Sequence, residues 1–462
     1  MTRYNMCLVI ICAVLICPLV GVLDTTAEIQ DEQEADPPEP LTLEQCIQLA
    51  VEESSDMRNA AIDSALQELR IKNARALYYP ELFLNGRYLV SDRSNQIFDQ
   101  RLLGGDQEGS VSIGHNYDAG VTARYTLWDH GQRRANFARA KESLNVTERR
   151  NRRIKQNLIF DVTQAYYNVL KTQALVKVDK EVLARSRENR ERVEDFVKAG
   201  VQIEADIATA QVREANDELN LLNDENELEI AMANLPRIMG LDPGTLITVA
   251  EDTTYQLYRE NGKVELIEIS LQEAIERANE NRPEFEEAKA RIKQLESDLA
   301  LAKLGRWPRL NAESSYELSI DDSVDESRNF NDFQNWNITA TLNFPIFDGG
   351  VTKRRTQEAT LTLEQERETA GDLERSIALE VRQAYLSLKR AERALEITDT
   401  QVRNAELSLE VTRGRYEQEL AILLELLDAQ TEFAGALTNQ VRAFYDYKIA
   451  QAALQRAMGV LG

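Results

Sequence analysis

The 462-residue sequence predicts a mainly α-helical chain with transmembrane β-strands, built from two tandem repeats. Each copy supplies four strands, so three copies close a 12-stranded β-barrel that is continuous with a long α-helical barrel. Three observations carry this expectation: the chain repeats itself at a nearly constant offset, four segments of about ten residues alternate apolar with polar side chains, and two long proline-free stretches carry apolar heptads.

The repetition is legible residue by residue. Thr42-Leu43-Glu44-Gln45-Cys46-Ile47 returns as Ser270-Leu271-Gln272-Glu273-Ala274-Ile275, and Tyr79-Pro80 returns as Trp307-Pro308. Trp128-Asp129-His130-Gly131 then matches Phe347-Asp348-Gly349-Gly350, Gln164-Ala165-Tyr166 matches Gln383-Ala384-Tyr385, and Met239-Gly240-Leu241 matches Met458-Gly459-Val460. An even duplication builds one structural unit twice. The expected division is a signal peptide at 1–27, an acidic proline-rich linker at 28–41, repeats at 42–241 and 270–462, and a connector at 242–269.

The N-terminus has Arg3, an apolar run from Met6 to Leu23, and small residues suited to cleavage after Ala27. That is the pattern of a secretory signal, although an uncleaved membrane anchor shares the apolar run. Cleavage leaves Cys46 as the one cysteine, so no internal disulfide is expected in an exported chain.

Each repeat begins with a helical region, about Leu43 to Tyr78 and about Leu271 to Arg306. Thr42 and Ser270 serve as N-caps, each with Gln or Glu at the third helical position. Pro283 splits the second region, and Pro80 and Pro308 end both. Period-two alternation follows: Tyr117, Ala119, Val121, Ala123, Tyr125 and Leu127 against Asp118, Thr122, Arg124 and Thr126. Leu310 to Ile320 and Trp336 to Phe344 alternate likewise, and Leu82 to Val90 does so less regularly. Strands of a soluble sandwich alternate too. Aromatic placement favours a membrane, because Tyr78, Tyr79, Trp128, Trp307 and Phe347 cluster at the helix-proximal strand ends, as an interfacial belt does. The polar segments Asp92 to Asn116 and Asp321 to Asn335 are the hairpin loops.

Long helices are expected from Gly131 to about Ala199 and from Gly350 to about Tyr416, each reaching roughly 100 Å at 1.5 Å per residue. Their seams read Val162, Ala165, Val169, Thr172, Val176 and Leu183 in the first and Val381, Ala384, Leu388, Ala391, Leu395 and Thr398 in the second. Reversals near Gly200 and Glu419 send shorter helices back to Gly240 and Gly459.

A net charge of −24 excludes a nucleic-acid partner, which would need clustered cations. His115 and His130, the two histidines, have no partner at metal-ligand or triad spacing, and no phosphate-binding loop occurs. Neither an enzyme, nor a cofactor, nor a metal site is expected. Four strands cannot close a barrel, and open edges are not tolerated in lipid, so the chain must form an oligomer. A secreted coiled-coil adaptor or scaffold would share the heptads and the signal but has no need of the strands.

The sequence resembles the TolC-like outer membrane efflux proteins over nearly all of its length beyond the signal. The carriers are the two helix starts, the Pro80 and Pro308 strand entries, Leu127-Trp128-Asp129, Ile346-Phe347-Asp348-Gly349-Gly350 and Leu426-Leu427-Asp428-Ala429-Gln430. The resemblance implies a homotrimer in outer membrane lipid with a large periplasmic portion, which joins a periplasmic adaptor and an inner-membrane transporter. It also implies a periplasmic gate: Glu425 and Asp428 match the aperture acids, Asp206 the acid of the first tip, and Tyr416 the tyrosine that hydrogen-bonds it. At the tip turns Gly200 keeps the family's glycine, whereas Glu419 replaces it.

Overall fold

The computed structural model describes residues 40–92, 113–250, 253–261, 264, 266–321, 334–418 and 420–461. The expected signal peptide, most of the expected linker, segments 93–112 and 322–333 of the expected hairpin loops, and Glu419 lie outside them.

The first repeat opens with α1 (Leu43–Glu53) and α2 (Ser55–Ala76). Thr42 makes the full capping box: its hydroxyl accepts from the Gln45 N–H while Gln45 Oε1 accepts from the Thr42 N–H at 2.8 Å. The single helix expected here is in fact broken at Ser54, which is extended (ψ 142°) and caps α2 through Met57 N–H. Strands β1 (Glu81–Asp92) and β2 (Ile113–Trp128) follow, then α3 (Gln132–Lys198) and α4 (Glu204–Met239). β2 begins earlier than the alternation alone indicated, taking in Ile113 to Asn116 from the expected loop.

A short α5 (Thr253–Asn261) lies in the connector, where no helix was anticipated. It is held by Tyr255 and Tyr258 packing on Phe444, and by the Tyr258 hydroxyl donating to Asp399 at 2.6 Å. The second repeat runs α6 (Leu271–Asn281), α7 (Pro283–Leu304), β3 (Arg309–Asp321), β4 (Gln334–Asn343), α8 (Val351–Glu417) and α9 (Leu423–Ala457). Pro283 starts α7 at its first position, where the missing N–H costs nothing.

α3 and α8 are 67 residues each, as the proline-free stretches required. Their heptads are the core. Val162, Val169, Val193, Val381 and Leu388 are fully buried, with Thr172 and Thr398 turning their hydroxyls back onto their own helices. The repeat explains two glycines. Gly240 ends α4 at φ +84°, and a Cβ there would lie 2.5 Å from the Glu53 carbonyl at the α1–α2 break. Gly459 follows α9 at φ +72° at the α6–α7 break, where an added Cβ would lie 2.8 Å from Asn281 C. Only glycine accepts both the left-handed backbone and that approach.

The strands form one antiparallel sheet in the order β1-β2-β3-β4. Register places Leu84 beside Val121, Val121 beside Tyr316, and Tyr316 beside Trp336. Ala340, Ala312 and Tyr125 form a second such row.

Candidate functional site

The sheet has two chemically opposite faces because its registers preserve the period-two alternation across the four strands up to a shift between Thr126 and Trp128. One face carries Leu82, Leu84, Val121, Ile338 and Leu342, with Leu84 at 84% and Ile338 at 73% exposure. Apolar area this large on a surface marks an interaction with lipid or protein. The opposite face carries a polar network. Arg87 pairs with Asp118 at 2.7 Å, Ser319 donates to Asp118, Arg124 pairs with Glu313 at 3.0 Å, and Thr126 donates to Asn311. Such a wall suits a water-filled lumen. Among the described residues no helix is long and apolar enough to cross a membrane, and no His, Cys, Asp and Glu group is placed to hold a metal.

At the helix-proximal end the turns into α3 and α8 are built alike. Asp129 accepts from the Gly131 and Arg133 N–H groups, and Asp348 from those of Gly350 and Thr352. His130 and Gly131 are both left-handed, as are Gly349 and Gly350. Histidine tolerates that backbone poorly compared with glycine, and its ring is held in place: it stacks on Trp307 at 4.0 Å and meets Trp128 edge-on at 5.3 Å. The sequence gives His130 no partner at metal-ligand or triad spacing, and the exchange of Gly349 for His130 between the repeats was the available signal. Tyr78 lies under the Arg133 guanidinium at 5.3 Å, Tyr79 is exposed, and Phe347 is 89% exposed.

At the far end of the helices the chain reverses twice. Val201 N–H bonds Phe196 O and Leu420 N–H bonds Arg415 O, each closing five residues back, with Gly200 at φ +78° in the first turn. The structure brings Tyr416, Gln202, Asp206 and Glu425 to this end. Tyr416 is 6% exposed in a small separate core with Val193, Ala210, Leu423, Leu426 and Leu427. The hydrogen bond to its hydroxyl differs from the expected one: Gln202 Nε2 donates at 2.8 Å. Asp206 instead acts on the phenol electrostatically. Burial pushes the Tyr416 hydroxyl above the ordinary phenol range, the Gln202 bond opposes that, and the Asp206 charge adds to it. Gln202 gave no sequence signal beyond being a polar residue two positions after Gly200.

Glu425 and Asp428 are exposed on one face of α9, opposite buried Leu423, Leu426 and Leu427. Arg415 approaches Glu425 at 3.7 Å while donating to the Leu420 carbonyl. Both groups are about half exposed, so this pair holds the turn only weakly.

The profile of the outer membrane efflux protein family matches residues 46–241 and 274–460. Protein CyaE of Bordetella pertussis is 24% identical over 432 residues, covering 93% of this chain and 86% of the relative. The outer membrane protein TolC of Vibrio cholerae is 24% identical over 316 residues, 66% of this chain and 68% of the relative. The structure of the channel CusC superposes with a TM-score of 0.74 at 18% identity, covering 90% of this chain and 92% of that one.

Proposed function

We propose that this chain, which belongs to the outer membrane efflux protein family, assembles as a homotrimer with one 12-stranded barrel and one α-helical barrel. It is an outer-membrane channel of an efflux or type I secretion system, with a large periplasmic portion, and serves as a passive exit duct for substrates delivered to it. The observation that supports a closed assembly of several copies is the two-faced sheet, whose edges β1 and β4 each have a neighbour on one side only. Lipid tolerates no open edge, and four strands are too few to close. Setting β4 of one copy beside β1 of the next removes every edge at twelve strands and turns the polar faces inward. Exposed apolar helical residues support the same contact: Leu379, Leu386 and Leu407 on α8 and Val212 and Leu219 on α4 recur at heptad spacing. An exported coiled-coil scaffold has no use for the exposed apolar strands.

In this reading the repeats 42–241 and 270–462 each contribute one strand hairpin and one helical hairpin. The connector 242–269 encircles the helices at mid-height. Tyr78, Tyr79, Trp128, Trp307 and Phe347 sit at the periplasmic membrane interface. The tip turns at Gly200 and Glu419 receive a periplasmic adaptor, through which an inner-membrane transporter supplies the energy. Glu425 and Asp428 line the narrowest point, while Tyr416, Gln202 and Asp206 hold the tip closed. Cross-linking of the detergent-extracted protein tests the assembly. Products should stop at three subunits, and a stable monomer with full strand content would sink the proposal.

A further inference from the structure

The chain is strongly acidic, yet its charge reverses where strands meet helices. Residues 75–81, 128–135, 303–309 and 347–355 carry nine Lys and Arg against three Asp and Glu. Two of those carboxylates, Asp129 and Asp348, are occupied in capping their own helices. Arg134, Lys303, Lys353 and Arg355 are exposed and form no ion pair among the described residues. Farther from the sheet, facing arginines of the same helices are paired: Arg139 with Asp298, Arg149 with Glu286, and Arg153 with Glu287.

Ring contacts fix the side of the sheet on which part of this belt lies. The Arg133 guanidinium is 5.7 Å from the ring of Tyr125, which stands in the row of Ala312 and Ala340 on the apolar face. Arg306 lies 5.7 Å over Trp307, whose stack with His130 leads to Trp128, opposite Leu310. Cations therefore border the membrane-facing surface at the level of its aromatic rim. Gly305 comes within van der Waals reach of Thr352 through an added Cβ, so the Lys303–Arg306 and Lys353–Arg355 groups belong to neighbouring chain crossings.

We propose that this belt is a binding collar for anionic phospholipid headgroups of the periplasmic leaflet. The inference rests on the outer-membrane reading, which puts the helices in the periplasm. A phosphodiester here meets unpaired cations while its acyl chains lie along Leu82, Leu342 and their neighbours. That continuity with the apolar face favours a lipid over free phosphate. The collar would tie the barrel's height in the bilayer to the composition of one leaflet.

The test uses the full-length assembled protein, reconstituted in vesicles of equal parts phosphatidylglycerol and phosphatidylcholine, re-extracted in mild detergent, with retained lipid measured by mass spectrometry. Phosphatidylglycerol should be retained over phosphatidylcholine by about 10-fold, as several cations near an anionic surface imply. The variant Arg134→Gln/Lys303→Gln/Lys353→Gln/Arg355→Gln should lose most of that preference. A variant with the same number of cations removed lower on the helices, Arg291→Gln/Lys293→Gln/Arg390→Gln/Arg403→Gln, should keep it. Equal retention of both lipids by the wild type, or equal loss in both variants, overturns the collar. Displacement by millimolar inorganic phosphate, with no effect of sodium chloride at matched ionic strength, overturns it in favour of a free-anion site. Failure to enter vesicles at all refutes the membrane reading, and the collar with it, whereas insertion without preference refutes the collar alone.

Discussion

Replacing Val121 with arginine tests the membrane face at its centre. Strands rise ~3.3 Å per residue and tilt by about 40° in barrels of this kind, so the eleven steps from Tyr117 to Trp128 on β2 span about 28 Å of depth. Tyr117 stacks with Tyr88 at 4.9 Å and marks the far rim, and Trp128 marks the near one. Val121 then sits within about 4 Å of the midplane. Its cross-strand neighbours are Leu84 and Tyr316, so no carboxylate stands beside it on that face. An unpaired arginine at this depth should cost about 2 to 4 kcal/mol per chain. Thr339→Arg is the control, because Thr339 faces the other way and lies directly opposite Glu313. The assay is folding into lipid vesicles across a urea series, followed by the heat-dependent shift in gel mobility. If Val121→Arg folds with the wild-type midpoint, or Thr339→Arg is the more damaging of the two, the assignment of the faces is wrong.

Three further outcomes are expected. The double change Glu425→Gln with Asp428→Asn should abolish block by divalent cations and weaken cation selectivity in single-channel recordings, since six carboxylates at a threefold constriction focus a negative potential; unchanged block and selectivity would place the gate elsewhere. Tyr416→Phe deletes the acceptor of the Gln202 amide, a loss of about 1 kcal/mol at the tip, and should raise conductance while leaving block intact; conductance equal to wild type would separate this bond from closure. Asp179, beside Asp224 and Asp217 and opposed by the charge of Arg442, has its carboxyl pushed up to about 7 from 3.8 by burial and the neighbouring acids. The folded state therefore holds a proton that the unfolded chain releases, and this contribution, complete below the unfolded value near 3.8, is lost as pH rises through about 7. The stability of wild type relative to Asp179→Asn should fall across that window, and a flat difference from pH 4 to 8 would remove the shared proton from the account.

The sequence by itself determined what depends on one residue and its near neighbours. Proline at 80 and 308 stopped the helices, Thr42 and Ser270 started them, period two told the faces of each strand apart, and the heptads named the buried seam before any partner was known. Glu425 and Asp428, singled out by the family resemblance, are three apart, which suffices to put both on one helix face. Tertiary structure decided what depends on approach between distant segments. The break at Ser54 is met by the end of α4 through Gly240, a contact across nearly the whole first repeat. The sheet order β1-β2-β3-β4 joins the two repeats through β2 and β3, which no local pattern specifies. His130 finds Trp307, and Tyr416 finds Gln202 rather than Asp206, because several partners compete for each ring and only the packed backbone selects among them. Periodicity is a property of the chain's own geometry, whereas pairing is a property of the distances that folding leaves between its parts.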